Sequence, residues 1–166
     1  MFSPLSHLHS QSLACDHGLP SYIEHSLKQA VFFQPDLKVV FISNYLECKS
    51  LDHSIDLIAG IIKIDSTLLM SEKTSRFLNV SDRIFQKDGF GELWISAAAR
   101  LFLLEDLMVA YNLTSVVHLE ADCLMYGSWA TAVLPALQAG FKTGLAVTPL
   151  NCNKYFLTAS VLYIGR

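Results

Sequence analysis

Glu120-Ala121-Asp122 is the part of this sequence with the most direct chemical content. On an extended chain, alternation puts Glu120 and Asp122 on one face with His118 behind them. Two carboxylates so spaced can grip a hard divalent cation, Mg²⁺ or Mn²⁺, and that cation can bridge the phosphates of a nucleotide. The same two acids can equally cap the next helix or stand solvated at a turn. His118 lies inside an apolar strand and reads as a core histidine, able to orient a neighbouring carboxylate by hydrogen bonding.

Arg100 is the second residue of interest. It shares a helix face with apolar residues, and its neighbours one turn away (Ser96, Ala97, Leu103, Leu104) include no acid. A guanidinium on such a face needs a partner from elsewhere, because a buried unpaired charge is costly. Asp82, Glu120 and Asp122 are structural candidates. A ligand phosphate is the functional one, matched to the fork of arginine donors. The sequence has no Gly-rich phosphate loop, no Gly-x-Ser-x-Gly elbow and no His-Glu-x-x-His. Its four cysteines (Cys15, Cys48, Cys123 and Cys152) form no Cys-x-x-Cys pair and read as buried free thiols. Trp94 and Trp129 read as core residues of amphipathic helices.

These groups need a frame, and the hydrophobic pattern supplies one. Pro20 to Phe33 repeats apolar residues at helical spacing, and Lys38 to Ser43 is a β-branched run closed by Asn44. Tyr45 to Ser54 reads as a loop with a helical turn, and Leu57 to Ile64 contains the second strand. Ser71, as cap, opens a helix to Val80. A polar connection, Ser81 to Gly91, follows. The helix Phe90 to Asn112 carries a stripe through Phe90, Leu93, Trp94, Ala97, Leu101, Leu104, Met108 and Tyr111. Ser115 to Leu119 is a strand running into the acidic triplet. Ser128 to Ala139 is a helix kinked or restarted at Pro135. Gly144 to Thr148 and Thr158 to Ile164 are strands, the last an edge or a strand that has lost its continuation. Alternating helices and apolar strands predict an α/β sheet covered on both faces. In such sheets ligands collect at the carboxyl ends of strands, where Asn44 and the triplet stand.

With 166 residues, 52% of them apolar and 16% charged, the chain suits one domain with a buried core. A net charge of −3 gives no electrostatic case for nucleic acid or an anionic membrane. The Ser- and His-rich residues 1–18 read as a disordered tail, with residues 19–166 as the folded unit. No secretory signal or membrane span is apparent, so the sequence as written reads as cytoplasmic.

Leu93-Trp94, then Arg100-Leu101-Phe102, then Val116 to Asp122 and Tyr126 resemble the centre of GT-A glycosyltransferases. In that family a helix bearing a basic residue leads into a strand ending in an Asp-x-Asp-type motif. Pro20-Ser21-Tyr22 with Val39 to Asn44 resembles the first helix and nucleotide-facing strand, and Thr158 to Ile164 the later strand beside the donor sugar. The resemblance covers most of the chain from residue 20 onward. It implies a Rossmann-like sheet of mostly parallel strands with helices on both faces, incomplete at the C-terminus.

The implied ligand is a nucleoside diphosphate sugar held with Mn²⁺ or Mg²⁺. Asp122 would ligate the metal and Glu120 would contact the metal or the ribose. Ser43 and Asn44 would lie near the base, Arg100 near the diphosphate and Ser160 near the donor sugar. The acceptor, a glycan, protein or lipid, is not specified. Glu at the first motif position changes reach but keeps the chemistry. The family continues beyond the equivalent of Gly165-Arg166 into its acceptor site and base, so no catalytic residue is assigned. A catalytically silent nucleotide-binding or interaction module of the same fold is the alternative, and an unrelated α/β domain with a structural Arg100 ion pair is a third.

Overall fold

The computed structural model describes residues 18–44, 49–85, 91–121, 123–141, 144–149 and 157–165. Helix α1 (Ser21–Phe33) starts at Pro20, whose carbonyl accepts from the Ile23 and Glu24 amides at 3.0 and 3.1 Å. Its buried residues Ile23 and Leu27 pack with Phe41, Ile55 and Ile58 in one apolar cluster. Strand β1 (Val39–Ser43) follows, then helix α2 (Lys49–Asp56) and strand β2 (Ile61–Asp65). β1 and β2 are parallel, in register from Val39↔Ile61 to Ser43↔Asp65.

Of the polar stretch Tyr45 to Ser54, expected as a loop with a helical turn, residues 45–48 lie outside the described residues and residues 49–54 belong to the crossover helix α2. Its composition is polar, but Ile55 is buried against α1 and β1. Parallel strands also require a crossover, usually helical, between them. Tertiary burial here overrides local propensity.

A short helix α3 (Ser66–Leu69) and the longer α4 (Glu72–Phe85) come next. Ser71 caps α4 as expected, its Oγ accepting from the Thr74 amide at 3.2 Å. The helix runs on through part of the segment read as a polar connection. Helix α5 (Gly91–Ala110) packs on α4, with Phe77 stacked on Phe102 at 4.5 Å. Asp106 of α5 accepts from the Ser71 amide at 3.0 Å and from Thr74 Oγ1 at 2.5 Å, tying the two helices at the α4 cap.

The buried face of α5 carries Ile95, Ala99, Leu103, Leu104, Leu107 and Met108, while Leu101 and Tyr111 are exposed. The expected stripe is therefore rotated, keeping only Leu104 and Met108 of its buried members among the described side chains. Apolar residues surround much of this helix, so periodicity alone does not select the inward face. Asn112 ends it in the left-handed region (φ 50), with Leu113 N–H reaching Met108 O at 2.9 Å.

Strand β3 (Ser115–Leu119), the short helices α6 (Trp129–Ala132) and α7 (Leu134–Gly140), and strands β4 (Gly144–Pro149) and β5 (Leu157–Gly165) complete the chain. The restart at Leu134 places Pro135 in the first turn of α7, where its missing amide costs nothing. The second sheet has the order β3-β5-β4, and both pairings are antiparallel. The molecule is α/β, but the expectation of mostly parallel strands does not hold among the described residues. Continuous apolar runs report burial, not strand direction. Only residues 150–156 separate β4 from β5, too few for a crossover. Nor is β5 an edge, because it lies between β3 and β4.

Gly60 precedes β2 at φ +86, and a Cβ added there would meet Val31 Cγ1 of α1 at 2.9 Å. Gly60→Ala is expected to lower unfolding free energy by more than about 1 kcal/mol. Adding Val31→Ala should restore only part of the loss, since the backbone cost remains. Urea titrations followed by circular dichroism test both changes.

Candidate functional site

The acidic triplet is reached through β3 and held from two sides. From α5, Arg100 Nη1 donates to Glu120 Oε1 in an ion pair whose side chains are only 16% and 30% exposed. From α1, Ser26 Oγ donates to the Cys123 carbonyl at 2.5 Å. Farther along, buried Gln34 donates to the Gly127 carbonyl at 2.7 Å and accepts from the Trp129 amide at 2.8 Å. The segment after β3 thus follows α1 from its N-terminal half to its end. Ala121 packs on the cluster containing Phe41.

The extended geometry assumed for the triplet ends sooner than expected. Cys123 N–H bonds to the Glu120 carbonyl at 3.0 Å, so the chain turns directly after Glu120. Asp122 itself lies outside the described residues. Among the described residues no group of three His, Cys, Asp or Glu side chains could hold a metal.

Of the partners considered for Arg100, the structure gives Glu120. A guanidinium has five N–H donors, and this contact uses one of them. Pairing α5 to the strand end resolves the charge that the sequence left without an acid one turn away. Lys73–Glu105 and Lys28–Glu24 are by comparison solvated surface pairs, of small energetic weight.

The second sheet adds Ser160. In the β3–β5 register, Leu119 opposes Val161, so Glu120 and Ser160 are the next residues on the two strands. On the other side of β5, Val147 opposes Leu162 but Thr148 opposes Thr158. Residues 159–161 are therefore surplus to the pairing of β5 with β4, beside the end of β3. Bulges of this kind re-aim side chains and recur next to active sites.

At the carboxyl end of the parallel pair, Ser43 is buried and Asn44 half-buried. The register places Asp65 beside Ser43, and Asp65 is also buried. Asp65 caps α3, accepting from the Thr67 amide at 2.8 Å. Ser43 Oγ and the adjacent Ser66 Oγ are buried and have no hydrogen-bond partner among the described residues. Such hydroxyls cost stability and call for an explanation. Asp65 and Ser66 escaped the sequence reading because the second strand was ended at Ile64. An acid closing an apolar strand is the signal that would have found them. Ser43, Asn44 and Asp65 belong to one strand-end cluster, and Arg100, Glu120 and Ser160 to the end of β3.

His118 is buried in β3, as its apolar neighbours predict. Burial, with the Arg100 charge as a lesser cause, lowers its pKa from the usual 6.5 to about 3. The imidazole is therefore neutral at physiological pH. Cys123 is half-buried, and the other three cysteines lie outside the described residues. Trp129 is half-buried, while the Trp94 side chain falls outside them.

Among known proteins, no family model matches the chain and no solved structure matches it. A similarity of 28% identity over 121 residues links it to the DNA-dependent protein kinase catalytic subunit of Xenopus laevis. The match covers 63% of this chain and 3% of that protein. Among the described residues, no helix is long and apolar enough to cross a membrane.

The depressed His118 pKa fixes a sign. Neutral His118 contributes stability in full above pH 6.5, and that contribution is lost as pH falls from 6.5 towards 3. Between pH 7 and 5 the protein should lose about 2 kcal/mol more stability than His118→Leu. Paired urea titrations at the two pH values measure the difference. Equal losses would mean that burial does not lower the His118 pKa in the folded state.

Proposed function

We propose that this chain is the donor-binding portion of a metal-dependent glycosyltransferase of the GT-A type, acting on a nucleoside diphosphate sugar. The observation that carries the reading furthest is the β3–β5 pairing. Its last pair is Leu119 with Val161, so Glu120 and Ser160 each follow one residue beyond that pair, although they are far apart in sequence. Arg100, anchored to Glu120, adds cationic character at the same strand end. In this reading Arg100 and Glu120 face the diphosphate and ribose, and Ser160 the sugar. Ser43 and Asn44 take the nucleoside end, together with Asp65 and Ser66 at the neighbouring strand end.

The donor chemistry of Glu120 and Asp122 suits Mn²⁺ or Mg²⁺, since carboxylate oxygens are hard ligands. A cation so held would supply Lewis-acid stabilisation to the departing diphosphate. The residues of this chain bind and orient the donor, and the base and acceptor site are not assigned to any of them. The acceptor is an alcohol of a glycan, protein or lipid.

One observation favours the second reading, a catalytically silent module of the same fold. Arg100 is already engaged by Glu120, so part of its charge is satisfied within the chain. The two readings share binding and differ in transfer.

Calorimetry with UDP, GDP and CDP, each with and without Mn²⁺, tests the common core. Mn²⁺-dependent binding of one nucleotide is expected, abolished by Asp122→Ala and weakened at least about tenfold by Arg100→Met. Absence of binding to every nucleotide, or an unchanged Asp122→Ala, would overturn both readings. If the nucleotide binds but its sugar conjugates are neither hydrolysed nor transferred, the silent module stands.

A further inference from the structure

A hollow of about 500 Å³ opens between the first sheet, α5 and β3. Its size falls in the range of small-molecule sites. The deep walls are buried and apolar: Ile42, Ile64, Leu104 and Leu107, with His118 beside them. Three of these residues come from strands of the parallel sheet and from β3, and two from α5. The hollow is therefore walled by regular elements rather than by loops.

The mouth has a different character. Lys38, Tyr111 and Gln138 line it and are exposed. Among the described residues no aspartate or glutamate lines the hollow. Among the described residues no carboxylate pairs with Lys38. Burial thus runs from an apolar floor to a rim with one ammonium and two neutral hydrogen-bonding groups. That gradient matches a molecule with an apolar tail and an anionic head.

We infer that this hollow binds a soluble single-chain amphiphile with an anionic head group, of the medium-chain carboxylate class, its tail against Ile42, Ile64, Leu104 and Leu107 and its head at Lys38. The tail gains by leaving water, and the carboxylate gains a charge-assisted bond at the rim. A cationic head would meet Lys38 with like charge. Ser43, Asn44, Arg100 and Glu120 line none of it, so the inference does not depend on the proposed donor site.

The test is calorimetry on the full chain with octanoate, decanoate and decyltrimethylammonium, each below its micellar concentration. Decanoate should bind, about fourfold more tightly per added methylene than octanoate. Lys38→Gln should weaken decanoate about tenfold with the circular dichroism spectrum unchanged. Ile62→Trp, a substitution at a half-exposed lining position, should block the tail. Failure of decanoate to bind the wild-type chain would overturn the inference. So would equal binding of the ammonium compound, or decanoate binding indifferent to both substitutions.

Discussion

A two-stranded sheet has little stability of its own, and neither sheet in this protein has more than three strands among the described residues. Both rest on α5. One apolar cluster joins Leu103, Leu104 and Leu107 of that helix to Ile42 and Ile64 of the parallel pair and to Leu162 of β5. Leu103 and Leu162 are almost completely buried. Burial of such side chains is worth about 1.5–3 kcal/mol each, so this helix supplies a large share of what holds the two sheets together. The clasp at Asp106 and the stacked Phe77 and Phe102 then fix α4 on its outer side.

Because α5 is fixed by burial, Arg100 is fixed with it. Its reach to Glu120 sets the position where β3 ends and the chain turns over Ala121. The Ser26 and Gln34 bonds hold the rest of that segment against α1. The geometry of the acidic turn is thus determined by two helices that contribute no metal-ligating acid to it. The short, half-buried Arg100 pair makes sense in this arrangement. It neutralises charge where an apolar strand emerges, and leaves a guanidinium with further donors at the same place.

Much of the local structure was legible in the sequence. α1, β1 and β3 fall where periodicity and β-branching put them, and Ser71 and Asn112 mark helix ends by their own chemistry. The α2 helix was not legible, because its stability comes from Ile55 packing on α1 and not from its polar composition. Nor was the inward face of α5, where apolar residues lie on nearly every side. Strand direction was the largest miss. Apolar runs in β4 and β5 predict burial, while direction is set by the length of the connection. At the site, the isolation of Arg100 from acids on its own helix was a sound signal, and it led to Glu120. The unpartnered hydroxyls of Ser43 and Ser66 arise from tertiary burial and carry no sequence pattern. The GT-A resemblance rests on residue order and remains a proposal.

The bulge in β5 has a consequence for how that strand tolerates change. Residues 159–161 are surplus to its pairing with β4, so the strand carries slack in the middle. Pairing towards Gly165 and pairing towards Leu157 follow two different registers, and an odd number of extra residues reverses which face each segment presents. A one-residue insertion or deletion within the slack can be absorbed there instead of sliding the whole ladder. Ser160 sits inside that slack. Its neighbourhood is therefore free to diverge in sequence length and side-chain aim while the Tyr163 end of the strand keeps its place in the core.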